Sequence, residues 1–169
     1  VQPGVGHAQF IAGKFPVSDM WEASSMEVSL LKAKQRGKKI NFMPFRDFGL
    51  DIYSITFWAN EDRLKKEAGE VRNFLKAAYR GFWATQKNRG AAFKSLMKYH
   101  PALDPEITRL QVDTLVEKMI EWDRWKRDGA GNIQKAKMQG TLETIRKGFK
   151  VKAALSAGDL YSNDFLPGK

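Results

Sequence analysis

Two groups of side chains in the first third of the chain have the types and spacing to hold a small molecule. The first is Trp21-Glu22-Ala23-Ser24-Ser25. An indole offers a flat face for stacking, and a carboxylate accepts hydrogen bonds from an amino group. The Ser24 and Ser25 hydroxyls stand where a helix starts, beside backbone N–H groups with no intrahelical partner. The same residues fit a plainer reading, in which Trp21 is a core anchor and Ser24 only a cap. The second group is Arg46, Asp47, Asp51 and Tyr53. A guanidinium grips a carboxylate, sulfonate or phosphate with two parallel hydrogen bonds. Tyr53 can stack or use its hydroxyl. The plainer alternative is an Arg46–Asp47 surface pair beside a buried aromatic ring.

Covalent catalysis is hard to assemble from this sequence. The only histidines are His7 and His100, and there is no cysteine. Thiolate zinc sites, iron–sulfur clusters, disulfide scaffolds and cysteine nucleophiles are thereby excluded. No zinc-ligand spacing, phosphate-binding glycine loop or nucleophile elbow occurs. Gly129-Ala130-Gly131 follows no strand pattern and reads as a loop, while Trp83, Trp122 and Trp125 sit at helical spacings that suit packing. We therefore expect no cofactor, no metal and no enzymatic activity.

The elements that must position these residues come next. His7 to Ala12 reads as a short helix closed by Gly13, and Phe15 to Trp21 as a short strand. Ser24-Ser25-Met26-Glu27 reads as a capping box opening a helix over 25–36 that Gly37 stops. Lys39 to Phe45 and Leu50 to Ala59 read as strands, the latter apolar on both faces as in a covered strand. The rest is helical. Arg63 to Gln86 carries Val71, Phe74, Leu75, Ala78 and Phe82 at helical spacing. Asn88 caps a shorter helix, and Asp104-Pro105-Glu106 starts another that runs toward Trp125. A last helix covers about Ile133 to Lys147. Strands alternating with helices imply an α/β sheet. Only three strands are present and none opens the sheet, so we expect the back end of a longer architecture.

The 169 residues are 43 % hydrophobic and carry a net charge of +10. That is too apolar for a disordered tail and long enough to bury a core. Residues 1–60 hold seven Lys/Arg and five Asp/Glu, and residues 61–169 hold 22 and 14, so the surplus lies mainly in the helical part. Such a field attracts polyanions, but its charges are interspersed and no nucleic-acid module accompanies them. The densest basic stretch, Lys32 to Lys39, reads as a helix end running into a turn.

Two stretches carry a resemblance. One is Ala8-Gln9-Phe10-Ile11-Ala12-Gly13-Lys14 leading into Asp19-Met20-Trp21-Glu22-Ala23-Ser24-Ser25-Met26. The other is Phe45-Arg46-Asp47-Phe48-Gly49-Leu50-Asp51-Ile52-Tyr53-Ser54, with Asn60 and the helix containing Glu70 to Ala77. Together they resemble the substrate-binding proteins of ABC importers, in the nitrate, sulfonate, taurine and thiamine-precursor group. The start at Asp104-Pro105-Glu106 and the closing Asn163-Asp164-Phe165-Leu166-Pro167 are similar to that family's C-terminal segment. Pro16 departs from the pattern, which often places an Asp after the Gly-Lys.

The resemblance covers the C-terminal half of a family member. It implies an α/β, two-lobed, type II periplasmic-binding-protein-like fold. Residues 1–48 would finish the second lobe, 49–60 would cross between lobes, and 61–169 would pack on a first lobe not included here. Ligand-binding residues would be Trp21, Glu22, Ser24, Ser25, Arg46, Asp47 and Tyr53. The expected role is capture of a thiamine pyrimidine precursor or similar heterocycle, or of a sulfonate, taurine or nitrate, for a membrane permease. The expected location is the periplasm or an extracellular membrane anchorage. Without the first lobe, self-association is expected. The alternative is a basic α/β domain binding nucleic acid or a protein partner. A third reading is a pyrimidine-synthase-like enzyme, which in this group relies on a cysteine-rich iron motif.

Overall fold

The structure, a computed structural model, describes residues 5–167. Residues 1–4, which open the expected second-lobe segment, and residues 168–169 lie outside it. Helix accounts for 61 % of the described residues, and no strand or sheet forms among them. The expected α/β two-lobed architecture is therefore corrected: this is a helical chain. Phe15–Trp21, Lys39–Phe45 and Leu50–Ala59, all expected as strands, are irregular apart from a 3₁₀ turn at Phe45–Phe48.

The physical reason is that a strand exists only through its ladder, and apolar content alone does not make one. Pro44 donates no hydrogen bond, and the turn after it closes on itself through Asp47 N–H to Pro44 O and Leu50 N–H to Phe45 O. Gly49 ends that turn at φ +89°, a left-handed conformation that disfavours any side chain. The stretch expected to be covered on both faces is mostly open, with Trp58 90 % exposed.

The helices are α1 (Val5–Ile11), α2 (Ser25–Gln35), α3 (Glu61–Lys66), α4 (Ala68–Lys87), α5 (Arg89–Tyr99), α6 (Pro105–Thr114), α7 (Trp122–Asp128) and α8 (Lys135–Phe149). Several start where their capping residues require. Asn60, Asn88 and Asp104 each accept a backbone N–H of the first turn, from Asp62, Ala91 and Ile107 at 2.8, 2.9 and 2.9 Å. The helix expected to run from Asp104 to Trp125 is interrupted. After α6 it widens into a π turn at Leu115–Met119, and a new helix begins at Trp122.

The chain divides into two compact units, residues 1–42 with 81–121 and residues 43–80 with 122–169. In the first, α2 packs on α1 and on α6, and α5 packs on α6. Ile11, Met26, Leu31, Ala33, Val112 and Val116 are its buried apolar side chains. In the second, α8 packs on a 3₁₀ turn at Ala157–Leu160, and Leu75, Tyr79, Met138 and Leu142 are buried. A chain of edge-to-face rings runs Phe74–Phe57–Tyr79–Trp125–Trp122, with centroid separations from 5.2 to 6.1 Å.

Candidate functional site

In the first unit the start of α2 holds Trp21 by its backbone. The Trp21 N–H donates to Ser25 Oγ at 3.0 Å, and the Trp21 carbonyl accepts from Met26 N–H at 3.1 Å. The main chain is thus fixed while the side chain stays 58 % exposed. Trp21 is no core anchor.

Glu22 follows in a half-buried position, and Ser24 is exposed. The expected capping box is replaced by a different arrangement. Ser24 occupies the cap position at φ −146° and ψ −103° without a side-chain hydrogen bond to the helix. Its carbonyl instead accepts from Gln111 Nε2 of α6 at 3.0 Å, which ties the turn to the neighbouring helix. The Ser25 hydroxyl is directed back to the Trp21 N–H, outside the helix, rather than to an N–H of its first turn. Glu27 reaches back to Ala23 N–H at 3.2 Å, one residue before the cap, and is only 2 % exposed. Ala23 bridges these bonds at φ +55°, a left-handed conformation that is uncommon for alanine.

In the second unit Tyr53 is docked on the start of α8. Its hydroxyl accepts the Gln134 N–H at 2.9 Å, and its own N–H donates to Thr141 Oγ1 at 3.0 Å. The Lys137 ammonium stands 5.2 Å from the Tyr53 ring centroid and is ion-paired to Asp51. Tyr53 and Asp51 are thereby brought together with three residues of the last helical segment. Lys137 and Thr141 had not been anticipated. The available signal was their i, i+4 spacing one position ahead of the buried Met138 and Leu142, at the border of the apolar stripe.

Arg46 and Asp47 lie within the 3₁₀ turn at Phe45–Phe48, both exposed, with Nε and Oδ1 4.0 Å apart. Among the described residues no group of three or more His, Asp or Glu is placed to hold a metal ion, and no helix is long and apolar enough to cross a membrane.

The first group lies in one compact unit and the second in the other. The profile of the NMT1/THI5 like family matches residues 7–92, just over half of the chain. The chain belongs to this family, which comprises mainly substrate-binding proteins of ABC importers for nitrate, sulfonate, taurine and thiamine precursors, with THI5 itself a pyrimidine synthase. No curated protein and no solved structure matched the chain. Trp21, Glu22, Ser24, Ser25, Arg46, Asp47 and Tyr53 all fall inside the matched span, whereas Gln134, Lys137 and Thr141 fall beyond it.

Proposed function

We propose that the chain binds a small organic solute for an ABC permease, without covalent chemistry, in the periplasm or at an extracellular membrane surface. Membership of a family made up mainly of importer substrate-binding proteins supports the class. The observation that carries the reading is Trp21, whose backbone is fixed by two hydrogen bonds while its indole is open to solvent. With the main chain already fixed, only the freedom of the indole itself is lost on binding, and less ordering cost is set against the stacking energy. Glu22 beside it is the acceptor for an exocyclic amino group. The solute class that suits these residues is a flat nitrogenous ring, such as a thiamine pyrimidine precursor. For a sulfonate or nitrate, Arg46 would be the principal contact.

Calorimetric titration of the chain with an aminopyrimidine, taurine, an alkyl sulfonate and nitrate tests this. Saturable aminopyrimidine binding that Trp21→Ala abolishes and Trp21→Phe retains in weakened form is the expected result. Binding of no solute, or aminopyrimidine binding indifferent to Trp21→Ala, overturns the reading.

A further inference from the structure

The C-terminal tip of α2 is unlike the rest of that helix. Its earlier turns are enclosed by Met26, Glu27, Ser29, Leu31 and Ala33, whereas Lys32, Lys34, Gln35 and Arg36 emerge exposed around the helix. Lys38 and Lys39 follow directly, both exposed, and no Asp or Glu occurs from Val28 through Arg46. The loop after α1 is adjacent. Lys38 Nζ donates to the Ile11 carbonyl at 2.9 Å and would lie 3.5 Å from a Cβ added at Gly13. That loop continues through Lys14, Phe15, Pro16 and Val17, all exposed, with Phe15 at 46 % and Val17 at 72 %. Six cations, none of them ion-paired among the described residues, therefore stand in the same unit as an open aromatic and an open aliphatic side chain.

From this we infer a docking surface for an anionic phospholipid bilayer, formed by the tip of α2 and the Lys14–Val17 loop. The inference is separate from solute binding and does not depend on it. Two kinds of contact have to be explained together. Cations near an anionic leaflet gain from its surface potential, and apolar side chains gain by entering the headgroup and acyl boundary. A nucleic acid would use the cations and a flat ring, but it gives an aliphatic side chain no base face to stack on. Val17 is the more exposed of the two apolar residues, and this favours the bilayer.

Vesicle co-sedimentation of the whole chain tests the proposal, using phosphatidylcholine alone and phosphatidylcholine with phosphatidylglycerol. Binding to the anionic vesicles only, weakening as salt rises, is expected. Lys34→Gln/Arg36→Gln should lower the partition coefficient about tenfold or more. Phe15→Ser/Val17→Ser should lower it with the charge unchanged. Lys87→Gln/Lys94→Gln removes as many charges from exposed positions elsewhere and should have a clearly smaller effect. Circular dichroism of each variant identifies any that fails to fold. Equal binding to both vesicle types overturns the proposal, as does no binding or an equal loss in the Lys87/Lys94 control. Tighter binding to a single-stranded oligonucleotide, unaffected by Phe15→Ser/Val17→Ser, also overturns it and makes the surface a nucleic-acid site.

Discussion

The hydroxyl of Tyr53 accepts the backbone N–H of Gln134 at 2.9 Å across 81 residues of sequence. The contact lets a residue of an irregular segment act as a cap for α8, whose own cap residue makes no side-chain hydrogen bond to the helix. Tyr53→Phe should cost about 1 kcal/mol, the size of one hydrogen bond. Denaturant unfolding of both forms, read from the midpoint at unchanged slope, measures it.

The same residue predicts a pattern in hydrogen exchange. The Tyr53 amide is held by Thr141 Oγ1, whereas Ser54 and Ile55 amides have no such partner among the described residues. Exchange at Tyr53 should therefore be slower than at its two successors, and Thr141→Val should bring the three rates together. Uniform protection across residues 50–59 in the unaltered chain would instead indicate a strand ladder.

Gly131 is required by its surroundings. Its φ is +75°, and an added Cβ would fall within the van der Waals envelope of the Tyr79 Oη and Cζ atoms. Gly131→Ala should destabilise by about 2–4 kcal/mol, combining overpacking with left-handed strain. Gly69→Ala, in a helix with open space around the glycine, should be neutral or stabilising. Tryptophan fluorescence during urea unfolding separates the two.

Arg89 donates to Asp113 at 3.0 Å and Glu117 at 2.6 Å, linking the start of α5 to α6 and the π turn that follows it. These hydrogen bonds raise the guanidinium pKa above its already high ordinary value. The groups are partly exposed, so a double-mutant cycle of Arg89→Gln with Glu117→Gln should give about 0.2–1 kcal/mol. The coupling should shrink in high salt.

Two groups set opposite pH limits. Burial pushes the Tyr79 phenol above its ordinary 10.0, so above that pH the unfolded chain ionises first. Stability from this residue is full below pH 10.0 and falls as pH rises through the folded value, and Tyr79→Phe should flatten that decline. Asp159 accepts from the Ser156 backbone N–H and hydroxyl, both at 2.7 Å, which holds its carboxyl below the ordinary 3.8. Its contribution is present above pH 3.8 and disappears as pH falls through the lowered folded value. Carbon-detected NMR titration should show Ser156→Ala moving Asp159 back up.

What could be read along the chain was mostly local. Asn88, Asp104 and Pro105 start their helices as expected because a cap needs only its own next few residues. Gly13 and Gly37 occupy left-handed positions where the helices were expected to end, and Gly49 does so in a stretch expected to cross between lobes. Trp21, Glu22 and Ser25 were recognisable as a group because one turn holds all three. The family was legible too, since the two main segments that carry the resemblance fall within residues 7–92, which its profile matches, whereas the start at Asp104 and the closing Asn163–Pro167 lie beyond them.

The strands were not legible, because a strand is settled by a neighbour that sequence alone does not supply. Leu50 to Ala59 has the composition of a covered strand, yet its Tyr53 N–H finds the Thr141 hydroxyl instead of a carbonyl ladder. Tertiary structure likewise ties the Ser24 carbonyl to Gln111 of α6, while the Ser25 and Glu27 side chains hold the segment before α2 through Trp21 N–H and Ala23 N–H. It also brought Lys137 and Thr141 to Tyr53, more than eighty residues away, a pairing to which local propensity is blind. The sequence by itself determined helix starts, turns, charge and family. Packing decided which polar groups meet and which apolar rings, Trp21 among them, remain open to solvent.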